Sequence, residues 1–112
     1  MRDMLIECFS LYRNEDLIFH GRDEDGRIIH GYYNRGKINA KEPDLRLYYD
    51  GNNRTTGGEF LSLWMKISKT GRKYLIGNDK ENGICYIGLL NLNRFDDSEP
   101  YLTIYQVLKF NR

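Results

Sequence analysis

The stretch SLWMKISKTGRKYLIG, residues 62–77, is typical of a strand, a tight turn and a second strand. Apolar and polar residues alternate on both sides of Lys69-Thr70-Gly71, as they do in a β-hairpin with one buried face. Trp64 and Tyr74 lie among several basic residues in this hairpin. The stretch is therefore either an ordinary solvated hairpin or part of a surface that binds a polyanion.

The register of this hairpin depends on the length of its loop. A three-residue loop with Gly71 in the left-handed conformation pairs Lys66 with Tyr74. One face then carries Trp64, Lys66, Arg72 and Tyr74, and the other carries Leu63, Met65, Ile67 and Leu75. A four-residue loop instead pairs Lys66 with Lys73, and Trp64 could then lie in the core. The sequence leaves both registers open.

Strand and turn signals recur through the rest of the chain. Residues 17–34 predict a second hairpin, in which Gly26 supplies the positive φ of the turn. Residues 4–12 fit either a helix face or two strand faces. Nine Tyr and five Phe favour strands. We therefore expect one all-β domain over residues 1–112, a small antiparallel barrel or sandwich of seven to eight short strands that is OB-like.

Two pairs of segments resemble each other. EPDLRLY (42–48) and EPYLTIY (99–105) share a turn that leads into a strand, and GRIIHG (26–31) resembles GRKYLIG (71–77). These matches suggest a degenerate duplication of a β-meander. Common turn chemistry in unrelated strands would produce the same matches, and both explanations stay open.

The net charge of +1 hides a basic region in the middle of the chain. Residues 1–33 carry a net charge of −3, residues 34–74 carry +5 and residues 75–112 carry −1. A basic groove attracts nucleic acid through its local field even when the whole chain is near neutral. The balance argues against a protein that coats DNA without specificity.

The candidate nucleic-acid-binding residues are the basic and aromatic residues of this middle region. Bases stack on aromatic rings for about 1–3 kcal/mol each, while cationic side chains neutralise phosphates. The predicted set is Arg35, Lys37, Lys41, Arg46, Arg54, Trp64, Lys66, Lys69, Arg72, Lys73 and Tyr74.

Other chemistry is weakly represented. His20 and His30 take equivalent places in one hairpin, but no further ligand has metal-site spacing, so no metal is expected. We see no phosphate-binding loop and no nucleophile motif, and we expect neither a cofactor nor an enzyme. The first residues carry early acids and lack the basic start and the small-residue cleavage site typical of a signal peptide, and no apolar run is long enough to span a membrane. We therefore expect a cytoplasmic protein in which Cys8 and Cys85 are reduced core thiols.

Over residues 32–77 a Lys- and Asn-rich loop leads into a Pro-Asp strand and then into the hairpin WMKISKTGRKYL, and this order resembles a family of small uncharacterised proteins from phages, plasmids and their bacterial hosts. The matching positions are Asn34, Lys37, Lys41, Pro43, Asp44 and Arg46, followed by Trp64, Lys66, Ser68, Lys69, Gly71, Lys73, Tyr74 and Leu75. The hairpin is also similar to strand pairs in single-stranded-DNA-binding proteins with an oligonucleotide-binding barrel.

Two functions are compatible with these features. The first is a nucleic-acid-binding accessory protein that holds single-stranded DNA or RNA. The second is a phage- or plasmid-encoded inhibitor, similar to an anti-CRISPR protein, that binds a host defence complex through the same Tyr-rich face. Tyr, Trp and Arg dominate both kinds of contact, so composition does not separate them. No membrane partner is expected, and a dimer is compatible with either function.

Overall fold

The computed structural model describes residues 2–14, 18–51 and 58–110, which form a closed antiparallel β-barrel. Its strands are β1 (Arg2–Arg13), β2 (Phe19–Arg22), β3 (Ile28–Tyr33), β4 (Leu45–Tyr49), β5 (Leu61–Ile67), β6 (Lys73–Asn78), β7 (Cys85–Leu90) and β8 (Leu102–Phe110). Each strand pairs with the next, and β8 pairs with β1. The predicted all-β class and small antiparallel barrel are confirmed.

The barrel is OB-like in being small, closed and antiparallel, but its strands follow in simple up-and-down order. The oligonucleotide-binding barrels themselves have five strands in Greek-key order. Residues 4–12, which fit a helix or a strand equally well, lie in β1 with a register shift between Glu7 and Phe9. Among the residues that the structure describes, no helix has the length and apolarity needed to cross a membrane.

The interior of the barrel is packed with side chains. Alternate residues of every strand point inward, as the period of a β-strand requires. The apolar side chains of this core that have no exposed surface are Leu11, Phe19, Ile29, Leu45, Leu47, Leu61, Leu63, Leu75, Leu102 and Ile104. The barrel axis is thus a hydrophobic core, and any site must lie on the outer wall or at the ends.

Two loops, residues 34–44 and 91–101, repeat the same hydrogen bonds 57 residues apart. The side-chain amides of Asn34 and Asn91 donate to the carbonyl oxygens two residues before β4 and β8, at 3.2 and 3.0 Å. The carboxylates of Glu42 and Glu99 accept backbone N–H groups four residues earlier, at 2.8 and 2.6 Å. The first sequence match, which contains both glutamates, is therefore a structural repeat.

The second sequence match pairs segments that are not equivalent in the barrel. GRIIHG leads into β3, whereas GRKYLIG leads into β6. The structural counterpart of the turn at Gly26 is the turn at Gly83, and the two glycines have φ of 83° and 68°. In both turns an aspartate, Asp23 or Asp79, accepts two backbone N–H groups. The repeating unit is thus four strands, with β1–β4 matched by β5–β8.

The described connections fall at two ends of the barrel because successive strands run in opposite directions. Residues 34–44, 68–72 and 91–101 form the upper end. The turns at residues 23–27 and 79–84 belong to the lower end. This arrangement decides which of the predicted site residues can act together.

Candidate nucleic-acid interface

The hairpin of β5 and β6 adopts the three-residue loop. Lys66 pairs with Tyr74, and Trp64 pairs with Ile76. The N–H of Ser68 donates to the carbonyl oxygen of Arg72 at 2.8 Å, and Gly71 has a φ of 87°. Of the two registers that the sequence leaves open, this one places Trp64, Lys66 and Tyr74 on the outer face of the barrel.

The inner face of the hairpin is buried as predicted, except at Ile67 next to the turn. Leu63 and Leu75 are fully buried, and Met65 is half-buried against the core. Ile67, predicted to fill the core, is 66% exposed. It points inward where the barrel ends, so no neighbouring strand covers it.

The loop at residues 34–44 is fixed against this hairpin. The indole N–H of Trp64 donates to the carbonyl oxygen of Lys41 at 3.2 Å. Asp44, at the end of the loop, also binds the backbone of β5. Its Oδ2 accepts the N–H of Met65 at 2.8 Å, and its own N–H donates to the carbonyl oxygen of Leu63 at 2.9 Å. The loop therefore brings Lys41 beside the hairpin, and its other basic residues lie at the same end of the barrel.

We call the resulting surface the basic corner. It consists of two half-buried aromatic side chains and six exposed cationic ones: Trp64, Tyr74, Arg35, Lys41, Lys66, Lys69, Arg72 and Lys73. No carboxylate among the described residues forms an ion pair with any of the six cations. Their positive charge is therefore directed into solvent.

Two predicted residues are neutralised by carboxylates of the protein itself. Lys37 Nζ lies 3.1 Å from both carboxylate oxygens of Asp44, and both side chains are half-buried. Arg46 Nε lies 3.1 Å from Glu59 Oε2, and Lys80 Nζ reaches Glu59 Oε1 at 2.7 Å. Lys37 and Arg46 support the loop and the wall of the barrel, and they are not part of the basic corner. Arg54 lies outside the described residues.

The environment of Glu59 keeps it ionised beside Arg46. Burial raises the pKa of the Glu59 carboxyl, but hydrogen bonds from Lys80, from its own backbone N–H and from Ser62 outweigh burial and lower it overall. The carboxylate is therefore a stable counter-ion for Arg46. An additional phosphate would have to compete with it.

The apolar side of this site was not predicted from the sequence. Leu89 of β7 pairs with Tyr74, and Leu89 and Leu92 are both exposed. With Arg72, Lys73 and Ile87 they line an open groove of about 670 Å³ between the hairpin and β7. The outward alternation of Ile87 and Leu89 in β7 is the signal that could have revealed it.

The lower end has the opposite electrostatic character. A pocket of about 630 Å³ is lined there by acidic and aromatic side chains, including Asp23, Asp25 and Glu81. Tyr49 stacks on Phe60 with ring centroids 4.2 Å apart, and the Arg27 guanidinium lies 3.6 Å from the Tyr49 centroid. An acidic rim repels a polyanion, so the lower end is a poor nucleic-acid site.

The two histidines lie on paired strands but do not form a metal centre. His20 pairs with His30, and His30 Nε2 lies 3.1 Å from Asp50 Oδ1. Over residues 2–14, 18–51 and 58–110, no group of three or more His, Cys, Asp or Glu side chains could hold a metal ion. Cys8 and Cys85 are free and half-buried; Cys8 packs against the margin of the core, and neither is one of the buried core residues.

No protein-family model, no curated protein and no solved structure matches this chain.

Proposed function

We propose that this protein binds single-stranded DNA or RNA at the basic corner, as a non-enzymatic accessory protein of the cytoplasm. The observation that carries the proposal is the set of six exposed cations, without carboxylate partners in the described chain, around Trp64 and Tyr74. A cation in a structural ion pair, such as Lys37 or Arg46, is neutralised by a carboxylate of the protein itself. These six are arranged for a partner that brings its own negative charge.

Two features of the site support binding of a single strand rather than a duplex. The groove beside Tyr74 is lined by Leu89 and Leu92, which offer contact area to unstacked bases. A duplex keeps its bases stacked inside and would leave that apolar surface uncovered. Phosphates on either side of such bases can reach Lys66 and Arg72 across the same hairpin.

Fluorescence anisotropy with labelled single-stranded and duplex oligonucleotides at two salt concentrations tests the proposal. Lys66→Ala combined with Arg72→Ala should weaken single-strand binding and flatten its salt dependence, by about 0.7 in slope for each phosphate that the protein no longer neutralises. Tyr74→Ala should weaken binding with little change in that slope, because stacking releases no counterions.

The matched control removes two exposed cations from the lower end, Arg22→Ala combined with Arg27→Ala. This control should bind like the wild type once circular dichroism shows that it is folded. Equal losses of affinity in the control and the basic-corner variant would mean that binding follows total charge and not the site. Absence of salt-dependent binding by the wild type to any oligonucleotide would overturn the proposal.

A second candidate function is inhibition of a host defence complex through a protein contact, a function that the resemblance to phage and plasmid proteins favours. The observation that favours it is the exposed apolar pair Leu89 and Leu92 beside the basic corner. Basic and apolar residues side by side also suit a protein interface with an acidic rim. This candidate takes over if the wild type binds no nucleic acid.

A further inference from the structure

The two equivalent loops of the upper end carry opposite charge. Residues 34–44 have a formal net charge of +1, and residues 91–101 have −2. The first loop joins β3 to β4 and the second joins β7 to β8, four strands away in a closed eight-stranded barrel. They therefore lie on opposite sides of the upper end. The four basic residues of segment 66–73 add to the positive side.

Each of these loops also presents a large apolar side chain to solvent at the equivalent position, and loop 91–101 presents Leu92 as well. Ile38 is 89% exposed and Phe95 is 94% exposed. Their backbone N–H groups are held by the carboxylates of Glu42 and Glu99, at 2.8 and 2.6 Å. The side chains therefore project from ordered loops. Neither contributes to the core, and both add exposed apolar surface to the same end of the barrel, on its two sides.

We infer that the upper end is a self-association surface on which two copies of this chain meet end to end. A two-fold axis perpendicular to the barrel axis places loop 34–44 of each copy against loop 91–101 of the other. The interface is isologous, so the basic-to-acidic contact occurs twice. Ile38 of one copy then lies near Phe95 of the second copy.

Charge complementarity identifies a second copy as the occupant. The basic side of the upper end carries Lys41, while the acidic side carries Asp96 and also Asp97, which pairs with Arg94 of its own loop at 2.9 Å and leaves the loop with a net charge of −2. Rotation about the two-fold axis places these opposite charges against each other, and it covers the side chains of Ile38 and Phe95 in both copies. A uniformly charged partner would meet attraction on one side and repulsion on the other.

This inference does not rest on nucleic-acid binding, although both would use cations of the basic corner. Nucleic acid and a second copy should therefore compete for that surface. The association is accordingly measured on protein free of nucleic acid, so that failure of one proposal leaves the other testable.

Analytical ultracentrifugation of the full chain at low salt measures the association. We expect a concentration-dependent dimer that weakens as salt is added, because its complementary charges are exposed. Phe95→Ala and Ile38→Ala should each raise the dissociation constant by about tenfold, the effect expected for an apolar side chain that the interface buries. Leu5→Ser is the control, since Leu5 is exposed in β1 away from the upper end.

A charge exchange gives the decisive result. Lys41→Glu and Asp97→Lys should each weaken self-association, because each makes the two loops more alike in charge. An equimolar mixture of the two variants should regain the dimer. In the mixed dimer, Glu at position 41 of one copy faces Lys at position 97 of the other, and the second loop contact keeps its original charges. A wild type that stays monomeric at low salt, a mixture that stays monomeric, or a dimer lost only in Leu5→Ser would overturn the inference.

Discussion

Gly77 of β6 lies directly against the carbonyl oxygen of Ser62 in β5, so close that no Cβ atom could be accommodated. Gly21 of β2 has the same relationship to the carbonyl oxygen of Ser10 in β1. These are corresponding positions in the two four-stranded units. Glycine is required at such points because one backbone passes closely over another.

Gly77→Ala should therefore destabilise the barrel strongly. Neither the carbonyl of Ser62 nor the adjoining strand can move without disturbing the closed sheet, so we expect a loss of about 3 kcal/mol in the free energy of unfolding. Gly36→Ala is the control, because a Cβ on Gly36 meets nothing within 4 Å and its φ is not positive. Urea denaturation measures both, and equal stability of the two variants would contradict the close approach.

The loop carboxylate at Glu42 should make stability depend on acid. Hydrogen bonds from the N–H groups of Ile38 and Asn39 hold the pKa of Glu42 below its ordinary value. A lowered native pKa contributes stability that is present above the ordinary pKa and is lost as the pH falls through the native one. Glu42→Gln should therefore lose less stability than the wild type on acidification.

Denaturation curves from about pH 7 to about pH 3 measure this difference. Glu24→Gln is the control, because Glu24 is exposed in a lower-end turn. It should follow the wild type over the whole range. Acid sensitivity in Glu42→Gln equal to that of the wild type would show that the capping carboxylate contributes nothing.

Alkaline pH should act through Tyr33. Burial, followed by the charge and hydrogen bond of Tyr101, raises the pKa of Tyr33 from 10.0 to about 12. The unfolded chain releases this proton first, so stability should fall as the pH rises between these two values. Tyr33→Phe should remove that part of the decrease. In Tyr33→Phe, phenolate absorbance should show one tyrosine fewer that ionises above its ordinary pKa. A titration curve unchanged from the wild type would contradict the shift.

The thiols give a chemical test of the fold. Both cysteines are free, and burial raises the pKa of the Cys8 thiol. Thiol counting on unfolded, unreduced protein should return two, whereas a count of zero would mean a disulfide. In native Cys85→Ser the remaining thiol should be alkylated more slowly than a small-molecule thiol at the same pH, because the thiolate is the reactive form.

Local chemistry in the sequence was sufficient to predict the hairpin and its possible faces. Lys69-Thr70-Gly71 offers few turn geometries, and the alternation around it assigns each side chain to a face. The choice between registers needed the structure. The E-P match was also reliable, because Glu42 and Glu99 form the same backbone contacts in both loops.

Features that depend on distant contacts were less predictable. Lys37 and Arg46 have the same residue types as the free cations, but Asp44 and Glu59 neutralise them across folded loops. Ile67 continues the apolar alternation of β5 but lies beyond the last covering strand. The sequence shows alternation and charge, whereas the available partners depend on where the barrel ends.

The pairing of β1 with β8 has a consequence for how the chain folds. Every other strand pair is a hairpin between neighbours, whereas this one joins opposite ends of the described chain. Bringing the two segments together costs more loop entropy than any hairpin does. We expect the hairpins to form early and the β1–β8 seam to form last. A ribosome-bound chain whose β8 is still in the exit tunnel would therefore hold an open sheet with two unpaired edges, and a chaperone could bind it at that stage.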